Sequence, residues 1–140
     1  MPTSAEARIK ALLFGEIDDM AGEAGALPIA WPNISFTPPA TGKWLRVDFI
    51  PNRVDRVSIG SAEPHRLRGL MQVSVMWPLG QGTDAAADIA GAIVGLFPAD
   101  LVLWDGDLRV RVVQRPAVAG AIVEEQRVMV PVTVEWEAFA

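Results

Sequence analysis

The chain has 140 residues, a length suited to a single domain over residues 1–140 that buries its own core without a disulfide or structural metal. It has no Cys and one His, His65, which excludes a disulfide framework, a thiolate nucleophile and any Cys-based or multi-His metal centre. A net charge of −5 argues against nucleic acid held by overall charge, and the 51% hydrophobic content implies either a large core or apolar surface covered by a partner.

Glu6 and Arg8 precede any apolar run, so the first residues lack the basic-then-apolar order of a secretory signal. No apolar stretch approaches the roughly 18 residues of a membrane span. Thr3 and Glu6 have the spacing of a capping box. Ile9, Leu12, Leu13, Ile17 and Met20 then recur at helical spacing, which predicts a helix from Ser4 to about Gly22. Leu27 to Pro39 carries Pro28, Pro32, Pro38 and Pro39 and reads as extended and irregular, with Ile34-Ser35-Phe36 as a short edge strand. Trp44 to Ile50 alternates Leu45, Val47 and Phe49 against Arg46 and Asp48, the pattern of a half-buried strand. Pro51 to Pro64 is charged and rich in turn residues, with a weak strand signal at Val54, Val57 and Ile59, and reads as a long loop or a protruding hairpin.

Leu67 to Trp77 predicts a central strand, with Met71, Val73, Val75 and Trp77 on one face, ended by Pro78. After Gly80-Gln81-Gly82, Thr83 is placed to cap a helix packed through Ala86, Ile89, Ala90, Ile93 and Phe97. The Ala- and Gly-rich side of that helix permits close approach of another element, and Pro98 stops it. Leu101 to Trp104, the turn Asp105-Gly106-Asp107 and Leu108 to Val113 form a hairpin. Ala117 to Ala121 reads as a flexible connection. Gln126 to Trp136 is a closing strand with Val128, Val130, Val132, Val134 and Trp136 on one face, and Pro131 marks an edge or bulge. This order describes an α+β domain: a mainly antiparallel sheet with two helices packed on one face.

Catalytic equipment is thin. His65 has no Gly-x-Ser-x-Gly elbow beside it and reads as an exposed loop residue. Gly80-Gln81-Gly82-Thr83 lacks a P-loop Lys and a third dinucleotide-type Gly, so it reads as a tight turn. Asp105 and Asp107 follow from turn geometry rather than calcium, and Glu124-Glu125 from a solvated turn. No cofactor is expected. One cluster supports a functional reading: Arg53, Arg56, Arg66 and Arg68 flank the Pro51–Pro64 excursion, either as an ordinary charged loop or as a contact surface for another subunit or partner. Arg109, Arg111 and Arg127 read as solvated strand positions. Trp31, Trp44, Trp77, Trp104 and Trp136 sit at element ends, as core caps or subunit anchors.

The element order, the Trp31-Pro32 and Trp77-Pro78-Leu79-Gly80-Gln81-Gly82-Thr83 signatures, and the Val-rich closing strand resemble the tail-terminator and tail-completion proteins of long-tailed bacteriophages, over roughly Ile9 to Trp136. The resemblance implies a structural virion protein, not an enzyme, assembled in the bacterial cytoplasm. It would form a ring, commonly a hexamer, at the head-proximal end of the tail tube. There it would stop tube polymerisation and present the head-joining surface. Its implied partners are other copies of itself, the tail-tube protein and a head-completion or connector protein, with no specific nucleic-acid or membrane binding. An acidic chain suits a channel through which DNA slides. Two alternatives remain: another connector or tube-like subunit of a virion, and a small-molecule-binding domain with a pocket by Trp77 and Gly82.

Overall fold

The computed structural model describes residues 4–23, 27–56 and 65–139. Helix α1 (Ala5–Glu23) is followed by strands β1 (Ile29–Ala30), β2 (Trp44–Arg56) and β3 (His65–Pro78). Helix α2 (Asp84–Leu96) then leads to β4 (Val102–Asp105), β5 (Leu108–Val112), β6 (Ala117–Val118), β7 (Ile122–Val123) and β8 (Arg127–Phe139). The strands form one curled sheet in the order β1-β2-β3-β8-β5-β4, with β6 and β7 also paired to β8. Among the described residues only the β1–β2 pairing is parallel, so the fold is α+β with a mostly antiparallel sheet.

The periodic apolar positions become the core. Ile9, Leu13 and Ile17 of α1 and Ala86, Ala90 and Ile93 of α2 are fully buried. They share one cluster with Met71, Val73 and Val75 of β3 and with Val130, Val132, Val134 and Trp136 of β8. β3 and β8 pair along almost their whole length, Val73 opposite Val132 and Met71 opposite Val134, so one face of each strand is apolar throughout. The Ala- and Gly-rich side of α2 meets nothing among the described residues: a Cβ at Gly91 or Gly95 would have no atom within 4 Å.

Several local expectations change. Ser4 caps α1, its Oγ accepting a hydrogen bond from the Ala7 N–H at 3.2 Å, and the Thr3–Glu6 capping box lies outside the described residues through Thr3. Thr83 holds the N-cap position of α2 but makes no side-chain cap bond. Ile34-Ser35-Phe36 is not a strand. Pro32 and Asn33 (φ 57°) form a turn closed by the Ile34 N–H on the Trp31 carbonyl at 3.3 Å. Pro followed by a left-handed Asn favours that reversal over an extended run. The strand pairing falls earlier, at Ile29 and Ala30 against Leu45 and Arg46.

Pro51 to Pro64 takes the hairpin form where it is described. β2 continues to Arg56, which pairs with His65, and residues 57–64 lie outside the described set. Ala117–Ala121 is not a free connection, because β6 pairs with β8 and the Ala119 N–H bonds the Pro131 carbonyl at 2.9 Å. Pro131 is therefore in an interior strand rather than at an edge. Val118 pairs with Val132 and Ile122 with Met129, so four steps on one strand match three on the other. That irregularity falls beside the proline, where a missing N–H is tolerated.

A candidate contact face on the sheet

The face of β3 opposite Met71, Val73 and Val75 carries the arginines. Arg68 lies directly across from Arg53 on β2 and from Glu137 on β8, and Glu137 lies across from Arg111 on β5. Directly opposed residues share a face, so Arg53, Arg68, Glu137 and Arg111 form one charged row over four strands. Arg66 is two residues from Arg68, on the same face, and pairs with Asp55 and Phe139 in the ladders. Arg56 pairs with His65 at the end of the ladder.

A bulge puts Arg53 in this row. Simple alternation from Leu45, Val47 and Phe49 assigns Arg53 to the apolar face. Between Pro51 and Arg53 the register shifts: Pro51 pairs with Gly69, but Arg53 pairs with Arg68. Asn52 is the extra residue, and one extra residue reverses every later face of the strand. The same region is held by close packing. Trp136 is fully buried, stacked on Phe49 at 5.3 Å with an interplanar angle of 3°. A Cβ at Gly69 would lie 2.5 Å from the Trp136 Cζ2 and 2.6 Å from the Ile50 carbonyl oxygen, so only glycine fits there. Ile50, opposite Leu70 and 45% exposed, adds apolar surface to the arginine face, while Val54, opposite Leu67, is exposed on the other side of the strand.

At the other end of the row, the charges are neutralised. The Arg111 Nε and Nη2 donate to Glu137 Oε1 at 2.9 and 2.8 Å, and Nη1 donates to Asp100. Glu137 is buried, and these hydrogen bonds, Glu137's first, hold the Arg111 guanidinium above its ordinary pKa. Asp100 sits at φ 69°, a left-handed conformation that Asp tolerates, with its N–H on the Val112 carbonyl at 2.8 Å. Arg111 is therefore a strut rather than the solvated residue its alternation suggests. Arg109 stacks over Phe139 at 5.4 Å. Arg127 stacks over Trp44 at 5.6 Å, where Phe36 also packs at 5.0 Å.

The remaining motifs take structural roles. The Gly106-Asp107 turn has positive φ only at Gly106 (62°), the type II′ pattern. Its neighbour Asp105 accepts from Arg8 of α1, through Oδ2 at 2.8 Å and through its carbonyl at 2.6 Å. The Asp105 hydrogen bond raises the Arg8 pKa and ties helix to hairpin. Gly80 (φ 79°) and Gly82 (φ 71°) supply the left-handed turns before α2. Trp77 is buried under Lys43, 4.9 Å from its ring, and Gly82 faces open space, so this pair does not enclose a pocket. His65 is half-buried at the start of β3. Among the described residues no three His, Cys, Asp or Glu side chains converge.

One feature has no counterpart in the sequence motifs. Phe14 of α1 and Trp31 pack with ring centroids 4.9 Å apart, and with Asp18 they line an open notch of about 190 Å³. Phe14 and Asp18 are one helical turn apart, but Trp31 joins them only through the fold.

Comparison with known proteins agrees with this architecture. A family model described as phage tail terminator protein matches residues 8–136. A solved structure is 32% identical, with a TM-score of 0.77, covering 93% of this chain and 92% of its own. No curated protein matches significantly.

Proposed function

Because the chain belongs to the phage tail terminator protein family, a structural family of the phage tail, we propose that it caps the head-proximal end of the tail tube. It stops tube polymerisation there and provides the surface that joins the head. The family match carries this reading, since it spans nearly the whole chain, including both helices and the paired β3 and β8.

In this role the chain works as a closed ring of identical subunits, a hexamer, in contact with the tail-tube protein and a head-completion or connector protein. It assembles in the bacterial cytoplasm and performs no catalysis. The face of β3 opposite Met71, Val73 and Val75, with Arg53, Arg66 and Arg68, is the surface this reading assigns to contact. A closed ring needs two different surfaces on each subunit. A terminator must also bind a tube ring on one side and refuse another on the other. The net charge of −5 suits a channel that must not retain DNA.

The test is solution mass by light scattering over a concentration series, with negative-stain imaging of the largest species, alone and with tail tubes. Closed rings, or rings formed only on tube ends, are expected. Open tubes would indicate a tube-like subunit instead. A monomer that never associates, even with tubes, would overturn the reading.

A further inference from the structure

The notch beside the second half of α1 is built for a flat cation. Two aromatic rings, Phe14 and Trp31, form its wall at a tilt of 32°, and Asp18 stands exposed at its rim. Gly15 borders open space, since a Cβ there would have no atom within 4 Å. Ring faces attract a cation through their quadrupole, while a carboxylate accepts its N–H donors. A guanidinium meets both demands better than an ammonium, because it is planar, stacks on rings and presents its donors in a fork. Among the described residues Asp18 has no ion-pair partner.

We propose that this notch receives an arginine of a second copy of the chain, supplied by the β2–β3 face that carries Arg53 and Arg68. The inference rests on the ring reading above and specifies its subunit contact. Charge complementarity identifies the occupant. The notch side of α1 exposes Asp18 and Asp19. The hairpin end presents Arg53, Arg66 and Arg68 beside exposed Ile50. The chain's basic residues are nearly all arginine, with only Lys10 and Lys43 as lysines. Notch and hairpin face are different surfaces, so a contact that joins them is head to tail. Repeated around an axis, such a contact closes a ring.

The absence of Cys makes Val54→Cys, at an exposed site next to Arg53, a unique point for a nitroxide label. An equimolar mixture of labelled protein and isotopically labelled wild type is examined by paramagnetic broadening in NMR. The Trp31 indole and Gly15 amide signals of the wild-type partner should broaden. Asp18→Arg in the isotopically labelled partner should weaken the association about tenfold and remove the broadening. Adding Arg53→Glu and Arg68→Glu to the nitroxide-labelled copy should then restore it, because the charges are exchanged. Rings without broadening at Trp31 and Gly15 would overturn the notch and leave the ring standing. Broadening without stable rings would do the reverse. Broadening that survives Asp18→Arg would also overturn the notch.

Discussion

Replacing Gly69 by Ala puts a methyl group where the structure holds an indole. The new Cβ would sit 2.5 Å from Trp136 Cζ2, 2.9 Å from Cε2 and 2.6 Å from the Ile50 carbonyl oxygen. None of these atoms yields easily. Trp136 is fully buried and stacked on Phe49, and the Ile50 carbonyl belongs to the paired backbone of β2. Overpacking against two stiff neighbours falls at the upper end of its range, about 3 kcal/mol. For a domain of this size that lowers Tm by about 10 °C. Thermal unfolding followed by near-ultraviolet circular dichroism reads the shift. The cause is separable by a double-mutant cycle. Trp136→Phe alone leaves a cavity, but in the Gly69→Ala background it also removes part of the clash. The pair should then be less destabilised than the sum by about 1 kcal/mol. A Gly69→Ala protein within about 2 °C of wild type, or strictly additive behaviour, would refute the packing argument.

Four further outcomes are expected. Ser4→Ala removes the α1 cap and should cost about 1 kcal/mol, read as a lower midpoint in urea with an unchanged slope. Arg111→Met leaves the buried Glu137 without its two guanidinium bonds and should cost about 2 kcal/mol by the same measurement. The raised pKa of Arg8 and Arg111 sets the alkaline limit of their contacts: both guanidiniums stay charged through the ordinary arginine range, and the contacts are lost on the basic side only beyond it. Stability from these contacts should therefore not fall between about pH 7 and pH 10 in titrated thermal melts. Arg68→Gln should leave Tm within about 2 °C of wild type while weakening ring assembly or tail joining in light scattering and tube-binding assays. Unchanged assembly and joining would remove Arg68 from the contact.

Much of the fold was legible because it is periodic. Ile9, Leu13 and Ile17 announce a buried helical stripe, and all three are fully buried. Alternation in β3 and β8 announces strands with one apolar face, and that face lies in the core. Asp105-Gly106-Asp107 announces a hairpin that forms with Gly106 at the left-handed position. The failures share a different character. Ile34-Ser35-Phe36 has strand residues but pairs with no strand among the described residues, while Ile29 and Ala30 pair with β2. Pro131 reads as an edge or a bulge, and of the two only the irregularity holds: β8 is interior, and the register of β6 and β7 breaks beside the proline.

The candidate contact face divides in the same way. The sequence by itself determined which residues carry the charge, and that they gather around one excursion of the chain. It also determined helix and strand periods, because those depend on neighbours three, four or two positions away. The tertiary structure alone decided that Asn52 forms a bulge, turning Arg53 to the side of Arg68. It also decided that Arg111 meets Glu137, and that Trp31 closes a notch with Phe14 and Asp18. These depend on strand register and on segments remote along the chain. A one-residue change of register exchanges the two faces of a strand while its residue pattern stays the same.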